Sequence, residues 1–137
     1  MNYARLALAA VAATVFDACY GFLVYGTLLA PEFTKYPSVY RSEATGPEYM
    51  PLMFGGLFVA IVVAAIMYSK GYQGGSGLAE GARFGILLGL FAFLAFSGVN
   101  YATLNLGRKL AIEVAAAAFV EWAVIGTIIG LIYKPAS

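Results

Sequence analysis

Histidine is absent from this chain of 137 residues, and cysteine occurs once, at Cys19. Without histidine there is no imidazole for haem, for most zinc or copper sites, or for the usual general base. A single cysteine cannot close a disulfide within the chain, and a thiolate metal site lacks its other ligands. Contact with a quinone or a carotenoid needs only aromatic walls, so the cofactor stays unassigned. Charge is also scarce, at 11% of residues against 62% hydrophobic. Soluble domains carry about 25% charged and about 45–50% apolar residues. Eight basic and seven acidic groups cannot cover a water-exposed surface of this size. With a net charge of +1 and no basic stripe, nucleic acid is not expected as a partner.

Long apolar runs are what the sequence does have. Four stand out, at about residues 6–29, 51–69, 82–106 and 109–133. Each approaches the roughly 20 residues that span about 30 Å of hydrocarbon as an α-helix. None shows the alternation of about 10 residues that marks a membrane β-barrel strand. Helices satisfy their own backbone groups in lipid. The expected fold is therefore all-α, an integral membrane four-helix bundle forming one transmembrane domain over residues 1–137. The first run continues past Asp17, too long for a 7–15-residue signal core, and reads as a retained helix.

Proline and glycine punctuate these runs. Pro31 and Pro37 end the first helix, and Pro51 suits the first turn of the second. Gly71 to Gly77 forms a glycine-rich turn, and Glu80 caps the start of helix three. Asn105 to Lys109 is a tight polar hairpin, and Tyr133, Lys134 and Pro135 close helix four at an interface. The longest loop, Pro31 to Met50, combines Phe33, Tyr36, Tyr40 and Tyr49 with five charges, which suits the headgroup zone or a lid over the helix ends. Four spans place both ends of the domain on one side. That side holds Arg5, Lys70, Arg83 and Lys134, and the other Lys35, Arg41, Arg108 and Lys109, a tie under the positive-inside rule. Glu32, Glu43 and Glu48 on the loop side lean the termini toward the cytoplasm.

Small residues at four-residue spacing let helix backbones approach. Gly81, Gly85 and Gly89 on helix three and Gly126 and Gly130 on helix four fit either packing within the chain or a homodimer. Phe84, Phe91, Phe93 and Phe96 read as lipid-facing or core packing, Cys19 as a small buried hydrophobe, and helix two as an apolar, supporting or lipid-facing element.

Polar groups at membrane depth are costly and ask for a reason. Asp17 on helix one and Glu121 on helix four lie near the midplane. Asn100 and Glu113 lie nearer the long loop. Tyr20, Tyr25, Tyr101, Thr103 and Trp122 supply hydroxyl or indole donors. No Lys, Arg or His is expected at these depths, so three acids stand without a cation in the chain. They act as neutral hydrogen-bonded glue between helices, share protons, or hold a cation, an exchanging proton or a cationic ligand. Glu113 and Glu121, eight residues apart, lie about 80° apart around the helix. The candidate ligand, proton or cation site is Asp17, Asn100, Glu113 and Glu121, supported by Tyr20, Tyr101, Thr103 and Trp122, with no metal assigned. No GxSxG, P-loop, CxxC or HExxH pattern is present, which argues against an enzyme.

Asp17 in helix one, Asn100-Tyr101-Ala102-Thr103-Leu104 closing helix three, and Glu121-Trp122 in helix four make the chain resemble bacterial families of four-helix predicted membrane proteins of unknown function. The resemblance implies a bacterial inner membrane location and importance for Asp17, Asn100, Thr103 and either Glu113 or Glu121. The spacing of the family's last-helix acid favours Glu113, and its neighbouring tryptophan favours Glu121. The resemblance implies no activity. Two functions therefore compete: a small transporter or ligand- or ion-binding protein with a membrane-embedded carboxylate site, and a non-catalytic accessory subunit of a larger membrane complex or a homo-oligomer.

Overall fold

The computed structural model describes residues 1–135. Helix α1 covers Tyr3–Tyr20 and continues without a break as a π-helical segment, Gly21–Leu28. A short α2, Ala30–Phe33, opens the long loop. A 3₁₀ turn, Gly46–Tyr49, leads into α3, Met50–Gly71. Helix α4, Gly77–Ala92, passes through a second π segment, Phe93–Gly98, into α5, Val99–Thr103. Helix α6 is Arg108–Ile132. The fold is all-α, and its four spans, Tyr3–Leu28, Gly46–Gly71, Gly77–Thr103 and Arg108–Ile132, are 25 to 27 residues long. At 1.5 Å per residue each reaches about 38–40 Å, enough to cross a bilayer. The chain is an integral membrane four-helix bundle.

The ends of the spans differ from the sequence reading in ways the local chemistry explains. Span one starts at Tyr3 because the Asn2 side chain caps it, accepting a bond from the Arg5 N–H at 3.2 Å. Span three starts at Gly77, five residues before the expected Ala82. Glycine is a poor helix former, but Gly77 and Gly81 lie directly against Gly130, so packing holds them helical. Glu80 sits in this first turn, and its carboxylate accepts bonds from the backbone N–H groups of Gln73 and Gly75. The turn closes through Gly74 at φ +87°, where a side chain would be strained. Span three ends at Thr103, because Leu104 turns extended.

Helix α6 is the central element. The α4 glycines pack backbone to backbone on it. A Cβ at Gly85 would strike the Ala123 backbone, one at Gly89 the Phe119 backbone, and one at Gly126 the Gly85 backbone. The glycine pattern is thus occupied inside the chain. The apolar core joins Leu6, Ala9, Ala10 and Ala13 of α1 to Ile61, Ala64, Ala65 and Tyr68 of α3 and to Ile125, Ile129 and Tyr133. Small residues on the α1 face let three helices approach. Helix two is therefore not merely supportive, since its second half builds the core.

This core occupies one half of the bundle, at the end where α1 begins and α6 finishes. Neither π segment contains a buried residue, and Met50 to Gly56 of α3 are exposed throughout. The half beside the long loop is splayed. Cys19 is exposed, against the expectation of burial. The buried stripe of α1 runs through residues 6, 9, 10, 13 and 17, and a residue two positions past Asp17 points to the opposite side.

The long loop is tied to the α5–α6 hairpin. Glu32 Oε1 meets Lys35 Nζ at 2.8 Å and Lys109 Nζ at 2.6 Å. The Gly107 N–H donates to the Tyr36 hydroxyl at 3.0 Å. That hydroxyl occupies the space a Cβ on residue 107 would need, so a side chain there would push the Tyr36 ring aside. Phe33 and Tyr40 pack edge to face, and the Arg41 guanidinium lies 3.4 Å over the Tyr49 ring.

Candidate functional site: a buried acid pair

Asp17 lies on the inner stripe of α1, at the boundary between the packed and splayed halves. Glu121 faces it from α6. They are the two buried charged residues among those described, 2% and 7% exposed. Their carboxyl groups are close neighbours across the contact between α1 and α6. Two carboxylates have no proton to donate, so a bond between them requires that at least one carry a proton. Asp17 Oδ1 is buried with no hydrogen-bond partner among the described residues. No described Lys or Arg forms an ion pair with either acid.

Two tyrosines complete the setting. The Tyr25 hydroxyl donates to Glu121 Oε2 at 3.1 Å. The Tyr20 hydroxyl donates to the Ala117 carbonyl at 2.8 Å, one turn from Glu121. The π register of span one makes both contacts possible. Leu29 N–H bonds the Val24 carbonyl and Thr27 Oγ1 the Phe22 carbonyl, both five residues back. Residues five apart diverge around an α-helix but draw together in these wider turns. Tyr20 and Tyr25 accordingly meet edge to face, with ring centres 6.2 Å apart.

The four proposed site residues do not converge. Asp17 and Glu121 form the pair, while Asn100 and Glu113 lie apart, toward the loop end. Glu113 Oε1 is 3.7 Å from Lys109 Nζ on the same helix, so the acids without a cation are two rather than three. The i,i+4 spacing allows this contact because Lys109 lies in the first turn of α6 and not in the hairpin before it. Asn100 is exposed on α5 and shares a narrow crevice with Tyr40, Tyr101 and Leu110. Thr103 bonds its own helix at the Val99 carbonyl, 2.8 Å away. Trp122 lines an apolar crevice between α3 and α4. Tyr25 is the direct partner that the proposed set omits, and no sequence signal announces a π register.

No group of three or more Cys, Asp or Glu residues poised for a metal ion occurs among the described residues. No protein-family model, curated protein or solved structure matches the chain.

Proposed function

We propose that this is a small membrane transporter or ion-binding protein whose Asp17–Glu121 pair takes up and releases a proton or a small cation at mid-membrane. The observation that carries this reading is the pair itself: two neighbouring carboxyl groups from different spans, buried and unmatched by a cation among the described residues. With one shared proton the pair holds a charge of −1. A second proton or a monovalent cation makes it neutral, and a charge in hydrocarbon costs several kcal/mol, so occupancy is coupled strongly to the bilayer environment. Tyr25 holds Glu121 from the splayed side.

The test uses the full chain in sealed vesicles containing an entrapped pH dye. A Na⁺ or K⁺ gradient is expected to drive proton movement in the wild type, and Asp17→Asn and Glu121→Gln are expected to abolish it. Infrared difference spectra after a pH jump should show a carboxyl band that Asp17→Asn removes. Transport and carboxyl titration that survive Asp17→Asn unchanged would sink the proposal.

A second reading, an accessory subunit of a larger membrane complex, draws on the splayed half, where Gly21, Gly55, Gly56 and Gly98 face open space. Crosslinking through cysteines at positions 55 and 56 in native membranes tests it. A chain that stays monomeric and uncrosslinked there excludes a stable partner on this face.

A further inference from the structure

Helices α3 and α4 follow one another in sequence and both pack on α6, yet their backbones stay apart and they meet chiefly through side chains such as Tyr68 and Phe84, whose ring centres are 5.5 Å apart. The space between them is a groove open to the membrane. Its apolar part has a volume of about 270 Å³ and is walled by Ala60, Val63 and Met67 on one side and Leu88, Phe91 and Trp122 on the other. At Met67 it meets a second hollow of about 140 Å³, lined by Tyr68, Gln73, Glu80 and Arg83. The first part is almost wholly hydrocarbon in character. The second carries one cation and one anion, at the end of the spans where Lys70 and the glycine-rich turn mark the headgroup zone.

We propose that this groove binds a phospholipid with a zwitterionic, amine-bearing headgroup, one acyl chain lying between α3 and α4. The length fits. From Gly71 to Ala60 along α3 is about 16 Å at 1.5 Å per residue, close to half of the roughly 30 Å hydrocarbon core and so to one leaflet. The polar end fits as well. Arg83 is exposed and forms no ion pair with a described residue, which leaves its guanidinium for the phosphate. Glu80 accepts two backbone bonds of the roughly four that a carboxylate can take, leaving capacity for an ammonium group. Tyr68, 3% exposed, has a hydroxyl with no partner among the described residues. The paired charges of the hollow match a headgroup of net charge zero better than an anionic one. This groove stands apart from the acid pair, and the proposal does not rest on proton or cation binding there.

Trp122, the single tryptophan of the chain, reports directly on the apolar end. The full chain is placed in phosphatidylcholine vesicles, and lipids with brominated acyl chains, which quench tryptophan, are titrated in. Brominated phosphatidylethanolamine should quench Trp122 at lower mole fractions than brominated phosphatidylglycerol, by at least about threefold in relative affinity. Glu80→Gln should remove that preference, whereas Arg83→Gln should weaken quenching by both lipids and Arg83→Lys should restore it. Ala60→Phe, which narrows the groove, should lower the quenching reached at saturation. Val59→Phe, on the exposed face outside the groove, should leave it unchanged. Equal quenching by the two headgroups in the wild-type chain overturns the proposal without recourse to any variant, since ordinary annular lipid then accounts for the contact. A preference that survives Glu80→Gln overturns the assignment of the polar end.

Discussion

The acid pair makes opposite demands on isosteric and truncating substitutions. An amide in place of one carboxyl keeps a donor, so Asp17→Asn or Glu121→Gln should preserve the polar contact between α1 and α6 while removing a titrating group. Glu121→Leu removes that contact and leaves Asp17 buried without a polar neighbour. Interhelical hydrogen bonds in membranes contribute about 0.6–2 kcal/mol. Glu121→Leu should therefore destabilise the bundle by at least that much in a steric-trapping or denaturant assay, and Glu121→Gln by less. Tyr25→Phe, which deletes a single 3.1 Å bond, should cost about 0.6 kcal/mol. If Glu121→Leu and Glu121→Gln prove equally stable, the acid pair is not a structural contact. At this scale the sequence was readable in part. Asp17 and Glu121 stood out because charge at membrane depth is rare. Their pairing depended on how two helices rotate against each other, which hydropathy does not encode. Glu113 resembles Glu121 by depth alone, and the Lys109 ammonium one turn away sets it apart.

Among the elements, the α4–α6 contact is the tightest, and glycine makes it so. Gly77, Gly81 and Gly85 face Gly126, Gly130 and Ala123 with backbone atoms in contact. Gly85→Leu forces these helices apart, and overpacking of this kind costs typically about 1–3 kcal/mol. The expected result is a lower unfolding midpoint in detergent and closer proteolytic access to the α5–α6 hairpin. Gly55→Leu, at a position facing open space, should be close to neutral in the same assay. Equal losses at the two positions would mean that the α4–α6 contact does not carry this stability. The four spans themselves were legible because unbroken apolar runs of this length have few other folds. The early start of span three was not, since Gly77 to Gly81 reads as a loop by propensity and is helical only because Gly130 lies against it. The π segments, Gly21–Leu28 and Phe93–Gly98, were equally hidden, because no residue pattern separates them from the α-helix they continue.

Across the whole molecule, the contrast lies between a packed half and a splayed half that is bridged at its rim by the long loop. Two contacts make that bridge, the Glu32–Lys109 ion pair and the Gly107–Tyr36 hydrogen bond. Hydrogen bonds from Lys109, and then Lys35, hold the Glu32 carboxyl below its ordinary range. A group whose folded value is depressed contributes stability above its unfolded value and loses that contribution as pH falls through the folded one. The ion-pair tether should therefore be intact at neutral pH and released only at acidities below the usual glutamate range, while the Tyr36 bond persists. A spin label at Ser38 should show restricted motion at neutral pH that loosens in strong acid. Glu32→Gln should show the loosened spectrum at every pH, and raised salt should mimic it partially because the pair is exposed. Identical spectra for wild type and Glu32→Gln at neutral pH would show that the loop is held by Tyr36 and its aromatic neighbours alone. The splayed half would then owe its cover to packing rather than charge.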